Sequence, residues 1–220
     1  MPIGVSTGNE DSCSSGTIAC RVIDGSDVVY ALSNNHVYAL ENGAPLGSDL
    51  LQPGRFDTNC DIDPDDEIGT LYAFVEIDFS SSADNTMDAA IALSSTAELD
   101  NATPSDGYGM PKSTTVAASI DQKVQKYGRT TALTKGTITG INAIVFVGYS
   151  SGTARFENQI VVSSSKGPFI KTGDSGALLV TDPDRDPVGL LFAGNRSGKL
   201  AFANPIGLVL TAFGVTIDGD

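Results

Sequence analysis

The chain has 220 residues, 40% of them hydrophobic, enough to build a core for one large all-β domain or two small ones. Thirteen basic residues against 27 acidic ones leave a formal net charge of −14, which argues against nucleic acid or an anionic membrane as a partner and favours solubility. No stretch approaches the ~20 continuous apolar residues of a membrane-spanning helix.

The amino terminus, MPIGVSTGNEDSCSSG, has no basic n-region and no apolar h-region, so it does not read as a signal peptide. The expected location is the cytoplasm, or outside the cell if the chain is a trimmed piece of a longer one. Such a start would suit a linker behind an upstream domain. Cys13, Cys20 and Cys60 are an odd number and match no zinc spacing. Without an export signal, three free or buried thiols are expected.

Helical periodicity is scarce. Short β-rich runs follow one another between Gly, Pro, Asn and Asp: GTIACRVI, VVYALS, IGTLYAFVEI, MDAAIAL, KVQKYG, GTITGINAIVFVGY, NQIVV, GALLVT, PVGLLFAG and LAFANP. About ten strands without helices between them predict a barrel or sandwich, not a parallel α/β sheet. Between the second and third runs lies the acidic stretch Asp57 to Glu67, DTNCDIDPDDE. Its alternating acids could offer oxygens to calcium, but the EF-hand pattern fails for want of its glycine and terminal glutamate. A solvated acidic loop with no metal is the reading. The Ser, Thr, Pro and Gly-rich stretch from Leu99 to Ser119 is the best connection between two halves, residues 1–110 and 111–220. At the C-terminus Asn204 can cap a helix and Pro205 can open its first turn. Ile206, Val209 and Leu210 recur at helical spacing, and Gly214 can end it.

KTGDSGALLV places Ser175 between glycines, after an acid and before an apolar run. A serine hydroxyl is a weak nucleophile unless a base lies within hydrogen-bond reach and an acid orients that base. The chain has one histidine, His36, where the VVYALS strand ends in a polar turn. Asp88 stands directly before the apolar strand AAIAL, where an ionised carboxylate is costly to bury unless paired. Gly173 permits a backbone conformation that lets its own N–H and that of Ser175 converge as an oxyanion hole.

The order His36, Asp88, Ser175, with GDSG followed by ALLV and then VGLLFAGN, resembles the chymotrypsin/trypsin-like serine peptidases over nearly the whole chain. VQKYGRTTALTKGTITGINA is similar to the hairpin that opens the second barrel in the secreted bacterial branch, the streptogrisin and α-lytic type. LSNNHV, QPG, GRTT, GDSG and GLLFAG resemble bacterial relatives of the NARROW LEAF-type trypsin-like proteins. The resemblance implies an all-β fold of two six-stranded Greek-key antiparallel barrels with a short C-terminal helix. Residues 1–110 would carry His36 and Asp88, and residues 111–220 would carry Ser175. It also implies a serine endopeptidase that works on a polypeptide through an acyl-enzyme, without a cofactor. A peptide-binding module with weak or no turnover and an esterase on the same triad stay open beside it.

Four departures qualify the resemblance. Asn34, Asn35, His36 and Val37 replace the family's Ala-Ala-His-Cys, so the disulfide beside the base is missing. The start Met1-Pro2-Ile3-Gly4 does not read as an activation sequence, and the resemblance to the bacterial branch, which uses a basic side chain of the second-barrel hairpin, implies that Lys126, or failing it Arg129, pairs with Asp174. Phe192 stands where the family has a serine that bonds the catalytic acid, so Asp88 is expected to lose a donor, while the backbone of 192–194 can still pair with a substrate strand. No Asp stands at the base position that the resemblance sets for cleavage after Lys or Arg. Phe169 near that base, with Phe192, Ala193, Gly194 and Ala201 as walls, implies a small or medium apolar residue on the acyl side of the cleaved bond.

Overall fold

The computed structural model describes residues 1–220. Val, Ile, Tyr and small residues at alternating positions build fourteen strands, and their pairing divides them into two antiparallel sheets. The first half supplies β1 (Ser6–Asn9), β2 (Gly16–Thr17), β3 (Cys20–Asp24), β4 (Val29–Ser33), β5 (Asp49–Leu51), β6 (Glu67–Phe74) and β7 (Ala90–Leu93). The second supplies β8 (Lys123–Gly128), β9 (Ala132–Gly148), β10 (Thr153–Ser163), β11 (Leu178–Thr181), β12 (Pro187–Gly194) and β13 (Leu200–Pro205), which close into a barrel in the order β10-β13-β12-β11-β8-β9. Six strands therefore hold for the second half. The other sheet has eight, in the order β14-β3-β4-β7-β6-β5-β1-β2, because β14 (Val215–Ile217) crosses back from the C-terminus and pairs with β3. A division at 110/111 thus leaves out one strand of the first sheet. Residues 94–122, which include the expected connection, contain no strand or helix.

Register brings the far-apart polar residues together. β4 and β7 are antiparallel with Ser33 opposite Ala90, so His36, just past the end of β4, meets Asp88, just before β7. β11 and β12 are antiparallel with Leu178 opposite Leu190, which sets Ser175 beside Phe192. The core does not respect the two sheets. Leu178, Val180, Leu190, Ile206 and Val209 pack with Ile18, Leu32, Ile91 and their neighbours in one cluster, so the halves are fastened by shared apolar burial. A second cluster fills the barrel around Val124, Ile138, Phe169 and Leu191.

Two expectations are corrected. Cys13 and Cys60 form a disulfide, leaving only Cys20 free and buried on β3. β1 pairs with β5 through Gly8 opposite Leu51, and this brings together two loops whose cysteines are 47 residues apart. Cross-linking a loop of that length is worth about 4 kcal/mol in the chain-entropy account. The terminal helix α2 (Ile206–Phe213) buries Ile206, Val209 and Leu210 as expected, and Gly214 ends it at φ 65°. Its cap, however, is Pro205 with no side-chain hydrogen bond. The Asn204 side chain points instead to Asp88 and Gln159.

Candidate active site

His36 lies in a one-turn helix, α1 (Asn35–Tyr38), that follows β4. Its Nδ1–H donates to Asp88 Oδ2 at 2.5 Å, and its backbone N–H donates to Asp88 Oδ1 at 3.1 Å. Asp88 has no exposed surface, so a bare carboxylate there would be prohibitive. Every polar atom of the residue is satisfied. Its N–H donates to Asn204 Oδ1 at 3.2 Å, its carbonyl accepts from Asn34 Nδ2 at 2.7 Å, and Oδ2 also accepts from the Tyr149 hydroxyl at 2.8 Å. Tyr149 is the donor that the Phe192 departure left Asp88 wanting. It sits at the turn between β9 and β10, and Glu41 holds that turn by accepting from the N–H and hydroxyl of Ser150 and the N–H of Ser151. Sequence reasoning missed Tyr149, Asn34, Asn204 and Glu41. Only the missing serine signalled that some donor had to come from elsewhere.

Electrostatics follow from this geometry. Burial opposes charging of the His36 imidazole, but the Asp88 carboxylate, its hydrogen bond and Glu41 outweigh burial and hold the ring above its ordinary value. Burial first, and then Asp88, raise the Tyr149 phenol well above the usual range, so it stays a donor.

Ser175 lies on the turn before β11. Gly173 and Gly176 flank it at φ 98° and 95°. A Cβ on Gly176 would stand 2.1 Å from the Thr17 carbonyl oxygen, and one on Gly173 would stand 2.5 Å from Thr130 Oγ1. Only glycine fits either place. The N–H groups of Asp174, Gly176 and Ala177 donate to Lys171, Leu191 and Asp174 carbonyls, whereas those of Gly173 and Ser175 donate to no protein acceptor. These are the two donors expected to form the oxyanion hole. Ser175 Oγ donates to the Phe192 carbonyl at 3.4 Å and makes no hydrogen bond with His36, although both line one cavity of about 410 Å³ with Gly173.

Asp174 is fully buried behind that turn. Lys126, also fully buried, approaches its Oδ2 at 3.5 Å. Thr131 Oγ1 donates to the same oxygen at 2.6 Å, and the N–H groups of Thr130 and Lys171 add bonds of 2.8 and 2.9 Å. Burial pushes Lys126 down to about 8 against the pull of Asp174. The alternative partner, Arg129, turns the other way and pairs with Asp57 of the acidic stretch, its Nε donating to Oδ2 at 2.7 Å.

The expected specificity pocket is only partly realised. A cavity of about 670 Å³ opens on the other side of Ser175, and Ala193 and Gly194 line it. Phe169, Phe192 and Ala201 do not line it. They are buried, Phe169 and Ala201 inside the barrel and Phe192 against Phe156 at a ring distance of 4.9 Å. The place of an apolar wall is taken by Thr130, Lys171, Thr172, Asn195, Arg196 and Ser197, with Ile170 and Ala193 the apolar exceptions. Ala201 packs with Leu191 in the barrel's cluster, whereas Phe192, at the break in the β12–β13 register between Leu191 and Ala193, packs on Phe156 instead of facing the cavity.

Known proteins share this architecture. Streptogrisin-A of Streptomyces griseus is 35% identical over 103 residues, which cover 46% of this chain and 32% of that protein. Among solved structures, Thermobifida fusca Protease A superposes with a TM-score of 0.69 at 19% identity, covering 100% of both chains. A Nocardiopsis protease does so with 0.68 at 18% identity, covering 99% of both chains. A glutamic-acid-specific serine protease that uses a histidine triad in substrate binding gives 0.67 at 20% identity, covering 99% of this chain and 100% of its own. These likenesses establish the chymotrypsin/trypsin-like serine-protease fold. The family model of the Nal1 C-terminal domain matches residues 106–216, just over half of the chain. On that match, the chain belongs to the Nal1 C-terminal domain family, built on the fold of the bacterial trypsin-like serine proteases.

Proposed function

We propose that the protein is a serine endopeptidase that hydrolyses peptide bonds through an acyl-enzyme on Ser175. In this reading the Ser175 hydroxyl turns from the Phe192 carbonyl toward His36, whose Nε2 is left unbonded. His36 takes the hydroxyl proton as Oγ attacks the carbonyl carbon and then returns it to the leaving amine. Asp88 steadies the imidazolium, and the N–H groups of Gly173 and Ser175 hold the oxyanion. Water repeats the sequence in reverse and frees Ser175. Residues 192–194 run past the end of β11, leaving one side of β12 open for an extended peptide to add as a strand. The observation that carries the reading is the fully satisfied, buried Asp88 on the one histidine, beside a serine whose turn keeps two N–H donors free.

A fluorophosphonate probe tests it. The folded wild type is expected to be labelled, and Ser175→Ala and His36→Ala are not. A wild type that folds yet takes no label overturns the reading and favours a peptide-binding module.

A further inference from the structure

Most cations of this chain are engaged. Seven of the 13 lysines and arginines form ion pairs, Arg55 donates to the Glu10 and Cys60 carbonyls, and Lys123 donates to Thr137. The four that remain, Lys166, Lys171, Arg196 and Lys199, are exposed and have no side-chain partner. All four lie on two loops, residues 164–172 and 195–199. Backbone bonds join these loops, Phe169 N–H to the Gly198 carbonyl at 2.7 Å and Ser164 N–H to the Lys199 carbonyl at 2.9 Å. The loops rim the 670 Å³ cavity beside Ser175, and Lys171 and Arg196 line it. No acid occurs from Asn158 to Gly173 or from Pro187 to Ile217, in a chain with 27 acids. The nearest one, Asp174, is buried and already held by Lys126 and Thr131. Two cations without a side-chain partner, Lys171 and Arg196, thus line one concave site in an acidic protein, and the other two, Lys166 and Lys199, stand on the same two loops.

We propose that this cavity receives an acidic side chain, glutamate or aspartate, on the acyl side of the cleaved bond. Arg196 and Lys171 recognise the carboxylate, and Lys166 and Lys199 strengthen the field around it. Arginine suits the task because its planar fork matches a carboxylate with two parallel hydrogen bonds. Thr130, Thr172 and Asn195 make the surroundings polar, so a carboxylate enters without losing all hydration. The inference rests on the peptidase reading for its site, but its test does not need turnover.

The test measures binding to Ser175→Ala of N-acetylated tetrapeptide amides that differ only in the last residue, Glu, Gln or Leu. The Glu peptide is expected to bind roughly tenfold more tightly than its Gln isostere at low salt, the scale of a charge-assisted hydrogen bond in a partly solvated site. Arg196→Ala with Lys171→Ala should abolish that difference. Arg196→Glu, a surface change that leaves the core untouched, should by itself bring the Glu peptide down to the affinity of its Gln isostere. Equal binding of Glu and Gln, or tightest binding of Leu, overturns the inference. With the wild type, cleavage after Leu but not after Glu would refute the acidic preference while leaving the peptidase standing. A Glu preference in binding without fluorophosphonate labelling would do the opposite.

Discussion

Asp88 is a charge without solvent, and what surrounds it determines how the imidazole behaves. Its Oδ2 accepts from both His36 and Tyr149, so the phenol draws off part of the negative charge that His36 feels. Tyr149→Phe keeps the ring among Phe79 and Phe156 but removes the donor. Losing a hydrogen bond to a buried carboxylate should lower kcat by about 10- to 100-fold with little change in KM, because Tyr149 positions Asp88 and touches no substrate in the reading above. The pH profile gives a second readout. His36 acts as a base only when neutral and already titrates above its ordinary value, so activity falls as pH drops through that point. With the phenol gone, Asp88 holds the imidazolium more strongly, and the acid limb should move to higher pH. An unchanged limb and an unchanged kcat would mean Tyr149 only packs. His36 was legible in the sequence because it is the single histidine, and Asp88 because an acid before an apolar strand needs a partner. Tyr149 was not legible. It is 61 residues from Asp88, and VGYSSG differs in no local way from any other hairpin turn.

At the scale of elements, β8 holds the turn that carries Ser175. Inward-facing residues alternate along it as Val124, Lys126 and Gly128, so the period of two already turns Lys126 toward the barrel. Arg129 lies beyond the strand end and escapes to Asp57. That difference was readable from strand periodicity. The disulfide between Cys13 and Cys60 was not, because it depends on β1 finding β5 across three intervening strands and α1. The Lys126–Asp174 pair has a pH consequence. Lys126 titrates at about 8 in the fold, below its ordinary 10.5. As pH rises through about 8, Lys126 loses its charge, Asp174 loses its counter-ion, and the turn that aims the Gly173 and Ser175 N–H groups loosens, so kcat/KM should fall. Stability should not follow. The unfolded chain binds more protons than the fold between the two values, so this group's contribution to stability rises with pH across that window. Measuring kcat/KM and the unfolding midpoint over the same pH range checks the claim, and parallel losses of both would refute it. Lys126→Met fills similar volume without the charge. It should remove the alkaline limb and leave activity low throughout, as in the wild type above that limb.

For the whole molecule the governing fact is where the charge lies. Nineteen of the 27 acids but only two of the 13 bases fall in residues 1–110, giving those residues −17 and residues 111–220 +3. Attraction between the halves grows with the product of their charges, whereas repulsion inside the first grows with the square of its own, so repulsion dominates several-fold. The shared core around Leu32, Ile91, Leu178 and Ile206 therefore holds the halves together against a net electrostatic strain within the first. The ion pairs do not reverse this balance, since exposed ones such as Lys135–Asp182 contribute about 0–1 kcal/mol each. Salt shortens the reach of charge from about 30 Å at 0.01 M to about 10 Å at 0.1 M. Raising NaCl at neutral pH should accordingly raise the unfolding temperature by roughly a few degrees, the shift that about 1 kcal/mol produces in a chain of this size. The positive rim of the cavity has the opposite sign. There the same salt weakens an attraction, so the Glu-over-Gln preference should shrink as the fold grows more stable. Calorimetry and peptide binding across one salt series test the two together. A falling unfolding temperature would mean that attraction between the halves outweighs repulsion within the first.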